Sequence, residues 1–264
     1  MIEPSVCVEM IFADLAFEDR LRAVAGAGFK AYEFWDWPSK DLTRVNALRT
    51  SLGLNTAAFI LEPRGALVKG VHHADLAEGL GRSAEVAHQL GCENLIVLVG
   101  RERNDISRSE QRRIIVAGLK GLAPIAEQEG VTLLIEPLNT VVDHPGFFLS
   151  SSKEAWEIVA EVGSPSVKVL FDVYHQQVSE GNLIANITSH ITSIGYFHIA
   201  DVPGRHEPGT GEINYANVLK AITDAGYAGY CGLEYKPLGD HTASLGPIGK
   251  IFQEMRSRSR MREG

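Results

Sequence analysis

The chain reads as an α/β protein, a single (β/α)8 TIM barrel spanning residues 1–264. Two observations predict that fold. Short apolar, β-rich runs alternate along the whole length with longer segments of helical periodicity, and no Pro- or Ser-rich linker interrupts the alternation. Four of the runs in the second half, LLIEP, KVLFDVYH, YFHIAD and CGLEYKP, each place one polar, ligand-type residue at the strand's end. Those residues are Glu136, Asp172, His198 and Glu234. They stand 36, 26 and 36 positions apart, about the length of one strand–helix unit.

The expected strands are residues 5–11, 31–34, 55–60, 94–99, 132–136, 168–172, 194–199 and 230–234. Between them, apolar residues recur at helical spacing. Leu76, Leu80, Ala84, Ala87 and Leu90 mark one such face, and Ile115, Leu119, Leu122 and Ile125 mark the next. Helix starts are visible at Ser107 with Glu110 and at Ser151 with Glu154, both in capping-box spacing. Helix ends are visible in glycines such as Gly130 and Gly163, each just ahead of a strand. Eight βα units close into one barrel, whose chemistry belongs at the C-terminal strand ends and their loops.

Composition sets the class. The chain is 45% hydrophobic and 22% charged, as expected of a globular protein. A net charge of −8 argues against a nucleic-acid surface, which needs clustered Lys and Arg. The one basic cluster, with Arg256, Arg258, Arg260 and Arg262, reads as the fraying end of a terminal helix. No apolar run approaches the roughly 18 residues of a membrane span, and the N-terminus lacks the pattern of a secretion signal. Cys7, Cys92 and Cys231 are widely separated and sit in apolar surroundings, so they read as buried thiols in a reducing compartment. The expected localisation is cytoplasmic, with a small molecule rather than nucleic acid or a membrane as partner.

Three carboxylates and an imidazole gathered at one barrel rim are costly without a cation, because like charges repel and burial adds to the penalty. A divalent metal removes the difficulty. Three hard oxygen donors with one nitrogen suit Mn2+ or Mg2+, with Co2+ or Zn2+ as substitutes. Glu136 and Glu234, facing each other across a substrate, can take a proton from carbon and return one. The chemistry indicated is aldose–ketose isomerisation, or epimerisation beside a carbonyl. His175, three residues beyond Asp172, is expected in a loop over the site, bonding a substrate oxygen. Arg205, in the glycine-rich stretch 200–215, is suited to grip a carboxylate or oxyanion, with His206 and Glu207 beside it. Trp35 and Trp37 are expected either to wall the pocket or to pack in the core. His72 and His73 read as exposed at a helix start, and Glu9 is a further candidate to point into the barrel.

LIEPLN at residues 134–139, HPGFFL at 144–149, FDVYHQQ at 171–177, the stretch ADVPGRHEPGTGEINY at 200–215 and GLEYKP at 232–237 together resemble the xylose-isomerase-like sugar isomerase/epimerase superfamily, and within it most closely the hydroxypyruvate isomerases. The resemblance spans nearly the whole chain and is densest from Leu133 to Pro237. It implies a metal-dependent barrel with Glu136, Asp172, His198 and Glu234 as ligands and Glu136 and Glu234 as the catalytic pair. It implies His175 and Arg205 as substrate-binding residues, hydroxypyruvate and tartronate semialdehyde as substrates, and a homodimer or homotetramer. One position departs. Hydroxypyruvate isomerases commonly carry Gln where this chain has His198, whereas ketose 3-epimerases such as D-tagatose 3-epimerase carry His. A ketose 3-epimerase is therefore the alternative, followed by phosphodiester hydrolysis on the same barrel and by a non-catalytic sugar sensor.

Overall fold

Alternating apolar strands and amphipathic helices bury their faces against each other as a closed ring inside a ring. The computed structural model describes residues 2–70 and 73–263, the side chains of His73 and of 256–263 excepted. The readings made for His72, His73 and the four C-terminal arginines (Arg256, Arg258, Arg260 and Arg262) fall outside the described residues and side chains. Eight parallel strands form the closed barrel: β1 (Glu3–Cys7), β2 (Ala31–Phe34), β3 (Asn55–Ile60), β4 (Asn94–Val97), β5 (Thr132–Ile135), β6 (Val167–Asp172), β7 (Ile194–Ile199) and β8 (Tyr230–Leu233). Glu3 to Val6 of β1 pair with Tyr230 to Leu233 of β8 and complete the ring.

Around it lie α1 (Phe17–Gly26), α2 (Leu42–Leu52), α3 (His73–Leu90), α4 (Arg108–Glu129), α5 (Ser152–Val162), α6 (Val173–Ser179), α7 (Leu183–His190), α8 (Tyr215–Asp224) and α9 (His241–Glu263). No helix among the described residues is long and apolar enough to cross a membrane.

Three strands, β2, β3 and β7, have the expected bounds. The first differs most. The chain turns at Cys7, whose carbonyl accepts from Met10 N (3.2 Å) and Ile11 N (2.9 Å), so residues 8–11 are a buried turn rather than strand. β5 and β8 stop one residue before Glu136 and Glu234, which therefore stand at the rim itself.

Caps behave unequally. Ser107 Oγ accepts from Glu110 N at 3.2 Å, as its spacing predicts. Ser151 makes no side-chain cap, contrary to expectation. There the first-turn amide of Ser152 donates instead to Glu180 Oε1 across the loop (3.2 Å), and Glu154 pairs with Arg108. Gly130 (φ 67°) ends α4 in the left-handed conformation that glycine adopts at little cost, and Val131 N then bonds Ala126 O.

Side chains alternate along each strand, so residues two apart share a face. A small inner cluster fills the barrel, including Ala31, Ile96, Leu134, Leu170 and Tyr196. Two residues beyond Leu134, Leu170, Tyr196 and Gly232 come Glu136, Asp172, His198 and Glu234. The strand pleat thus points all four along the barrel's inner face, towards its C-terminal end.

Candidate metal centre

Glu136, Asp172, His198 and Glu234 converge, each offering a ligand atom within 4.8 Å of the others. They are 5%, 1%, 1% and 5% exposed, so their charges are largely out of water. His198 Nδ1 lies 3.4 Å from Glu136 Oε1 and 3.3 Å from Glu234 Oε2, which places one imidazole nitrogen between the two glutamates.

Asp172 is held by the helix that follows it. As N-cap of α6 it accepts Tyr174 N (2.8 Å) and His175 N (3.2 Å) on Oδ1. Its other oxygen, Oδ2, is left facing Arg205 (3.5 Å) and His175 Nε2 (3.4 Å). Arg205 also pairs with Glu234 through the same terminal nitrogen. Trp35 Nε1 donates to the second oxygen of Glu234 at 3.1 Å.

Electrostatics follow from burial and neighbours. Burial pushes Asp172 up to about 7, against the pull of Arg205 and His198. Burial likewise raises Glu136, although His198 opposes it. Burial acts on Glu234 in the same direction, yet His198 and Arg205 outweigh it and hold that carboxyl well below its usual range. Burial would lower His198, but Glu234 and Glu33 hold the imidazole well above its ordinary value. His175 falls well below, first from burial and then from Arg205.

The donor set fits a divalent metal. Glu136 Oε1 and His198 Nδ1 are buried without a hydrogen-bond partner, although each stands at the centre of the cluster. Ligand bonds of roughly 2.0–2.6 Å to a hard cation span such a group with little movement.

His175 sits not in a loop but in the first turn of α6, and it is fully buried. The reason is the Asp172 cap, which starts a helix directly at the strand's end. Arg205 is buried too, in the left-handed region (φ 60°), held by its own N–H to Asp201 O and by Lys236 N to its carbonyl. His206 and Glu207 do not join the site. They bond the backbone of Lys236 and Leu238. Glu9 is spoken for as well, paired with Arg20 (2.9 Å) and Lys40 (3.4 Å) away from the ligand group. Of the tryptophans, Trp35 lines the site. Trp37 packs at the edge of the core.

Sequence reasoning missed Glu33 and Asn139. Glu33 is 1% exposed, accepts Ser5 Oγ (2.9 Å) and the Tyr196 hydroxyl, and brings Oε1 to 3.0 Å from His198 Nε2. Gly232 makes room for this contact: a Cβ there would stand 2.4 Å from Glu33 Oε2 and 2.6 Å from the His198 ring. With Cys7 and Glu234, Glu33 forms a second group of ligand-type atoms. Burial raises the Cys7 thiol, which keeps it protonated and a poor ligand. The available signal was a lone acid on the inner-facing register of an apolar strand, two residues after Ala31. Asn139 bonds His175 Nδ1 at 2.6 Å and Asp143 Oδ2 at 2.8 Å.

Comparison with known proteins agrees with this geometry. A sequence profile described as xylose isomerase-like TIM barrel matches residues 21–254. The 2-oxo-tetronate isomerase of Cupriavidus necator is 35% identical over 90% of this chain and 94% of its own. The hydroxypyruvate isomerase of Escherichia coli is 33% identical over 93% of this chain and 97% of its own. Among solved structures, a protein from Brucella melitensis described as an AP endonuclease of family 2 superposes with a TM-score of 0.90 at 27% identity, covering 95% of this chain and 99% of that one. A profile that accounts for most of the barrel, and relatives above 30% identity over nearly its whole length, lead to one conclusion: the chain belongs to the xylose isomerase-like TIM-barrel family.

Proposed function

We propose that the protein is a divalent-metal-dependent isomerase of small hydroxy-keto acids, of the hydroxypyruvate isomerase type, with Glu136 and Glu234 moving the proton. The observation that carries this reading is the placement of two buried glutamates on either side of one imidazole nitrogen, 3.4 and 3.3 Å away, within a group of three carboxylates and a histidine. The Cupriavidus necator and Escherichia coli relatives are isomerases, and the chain is an enzyme of that kind.

For hydroxypyruvate the reaction takes a proton from C3 and returns one to C2, while the hydroxyl proton on O3 passes to O2. The intermediate between the two carbon protonations is an ene-diolate. The two glutamates stand beside the same imidazole nitrogen, at 3.4 and 3.3 Å, so one can accept the carbon proton while the other returns one. A bound Mn2+ or Mg2+ supplies Lewis-acid stabilisation of the adjacent substrate oxygens. Glu136, Asp172, His198 and Glu234 would hold that ion. Arg205 Nε and His175 Nε2, both buried without a hydrogen-bond partner, are the donors available to substrate oxygens. A single-histidine ligand set in a chain of charge −8 favours this reading over phosphodiester cleavage.

The test is a substrate panel in deuterated water with Mn2+: hydroxypyruvate, 2-oxo-tetronate and free ketoses. Solvent deuterium is expected in the hydroxy-keto acids, and its incorporation should stop on chelation and resume with added metal. His198 in the ligand set favours a second reading, a ketose 3-epimerase. Label at C3 of a ketose, with none in either acid, would establish that reading and remove the first.

A further inference from the structure

We infer that Asn139 locks His175 into the neutral tautomer that carries its hydrogen on Nε2, so that His175 serves the reaction as a fixed hydrogen-bond donor and not as a base. Asn139 is thereby a positioning residue. The inference rests on the proposed isomerase site and extends it by assigning the state in which His175 meets the substrate.

The argument is one of donors and acceptors. Asn139 is fully buried, and its carboxamide has only one workable orientation. Oδ1 accepts two backbone amides, Val142 N at 2.9 Å and Asp143 N at 3.1 Å. Nδ2 faces Asp143 Oδ2 at 2.8 Å and His175 Nδ1 at 2.6 Å. Turning the amide over would set its oxygen against a carboxylate and its NH2 against two N–H groups, losing all three bonds at once. Asp143 is itself held as an acceptor, since Tyr174 donates its hydroxyl to the same oxygen at 2.7 Å.

Both Nδ2 hydrogens are therefore committed, one to Asp143 and one to His175. At 2.6 Å the second can point only at a lone pair, so His175 Nδ1 carries no hydrogen. The ring's one remaining hydrogen must sit on Nε2. That nitrogen is fully buried, has no hydrogen-bond partner, and lies 3.4 Å from Asp172 Oδ2 at the edge of the ligand group. His144 packs against the His175 ring edge to face, at 5.2 Å between centroids. A neutral N–H aimed at the reacting oxygens polarises a carbonyl and stabilises the charge that develops on it. It cannot accept the carbon proton, which leaves that step to the glutamates.

The exchange Asn139→Leu removes the donor at nearly constant volume, so nothing then keeps the hydrogen off Nδ1. The experiment is histidine ring 15N NMR on the Mg2+-loaded protein, with His175 assigned by the signal lost in His175→Gln, together with kcat and KM for hydroxypyruvate. The wild-type protein is expected to show the Nε2–H tautomer from pH 6 to 9. Asn139→Leu is expected to show both neutral tautomers and to lose on the order of 10-fold in kcat. Asn139→Ala, which also removes the donor, is expected to show the same mixture and a similar loss. Thermal melts check that each variant folds, and the wild-type spectrum decides the tautomer even if neither variant does. An imidazolium or Nδ1–H signal in the wild type, or a pure Nε2–H tautomer retained in both Asn139→Leu and Asn139→Ala, would overturn the assignment. A locked tautomer in a protein that turns over no hydroxy-keto acid would instead count against the proposed function and leave the lock standing.

Discussion

Strands β5 to β8 and strands β1 to β4 belong to one continuous ring and end at one rim, yet they are used differently. Each of β5 to β8 has, at or one residue beyond its C-terminal end, an ionisable side chain in the ligand group. Strands β1 to β4 end in Cys7, Phe34, Ile60 and Val97, all buried, and Phe34 stacks on Phe59 of β3 at 5.6 Å and meets Phe17 of α1 edge to face at 5.5 Å. Strands in both halves pair in parallel with their neighbours. The difference lies in one side chain per strand, two residues beyond an inner-barrel position. Four such choices gather a buried group of three carboxylates and an imidazole that could hold a cation, and the opposite half supplies aromatic packing.

The sharpest way to break this comparison is to remove one carboxylate from each half. Glu136→Gln and Glu234→Gln should each lower the rate of proton exchange with hydroxypyruvate by roughly 10²–10⁴-fold, with the folded spectrum preserved. Glu33 is the one acid that β2 places on the inner face, and it touches His198 rather than joining the four-residue group. Glu33→Gln should therefore cost less, about 10-fold. Equal losses at Glu33 and Glu136 would show that the functional half extends round to β2.

Packing in the quiet half should matter for stability and little for the ion. Phe59 is fully buried on β3. Phe59→Ala should cost about 3–5 kcal/mol of unfolding free energy in denaturant titration. The Mn2+ affinity of the folded fraction, read by calorimetry, should stay within about twofold if the site is built by the other half. A collapse of affinity alongside stability would show that the halves are energetically one unit.

Metal binding should also depend on pH in a direction set by the site. In the metal-free protein burial pushes Asp172 up to about 7, well above the ordinary carboxylate range, and Glu136 and His198 are raised as well. A carboxyl whose folded value is raised contributes stability that is fully present below its unfolded value and lost as pH rises through about 7. A cation that displaces those protons gains as they leave, so its binding strengthens over the same range. The Mn2+-induced rise in melting temperature should be small at pH 5.5 and large at pH 8, where free metal at about 100 times Kd adds about 2.7 kcal/mol. A rise independent of pH would mean that these groups are not the ligands.

How legible each part was follows from where its partners lie. The barrel and the convergence of Glu136, Asp172, His198 and Glu234 could be read from the letters because each of the four closes its own apolar run, and local pattern carries the whole signal. Glu33 could not, since its partners Ser5, Tyr196 and His198 come from two other strands, β1 and β7, and only the closed ring brings them together. His175 was misplaced in a loop because Asp172 was read as a ligand alone. It is also the cap of α6, one oxygen serving the helix and the other the site. Arg205 was found, but its engagement with Glu234 and Asp172 depends on a left-handed backbone that sequence spacing does not reveal.

The smallest effect separates two helices that begin alike in sequence, one behind each half of the ring. Ser107 and Ser151 both precede a glutamate by three residues, yet only Ser107 caps its helix; before α5 the first-turn amide is taken by Glu180. Ser107→Ala should therefore destabilise the protein by about 1 kcal/mol, whereas Ser151→Ala should change it by only a few tenths. Both are read as shifts in the denaturation midpoint at unchanged slope. A larger loss at Ser151 would mean that the cap forms in solution and that the contact from Glu180 is secondary, which would tie α5 to its own sequence rather than to the loop after α6.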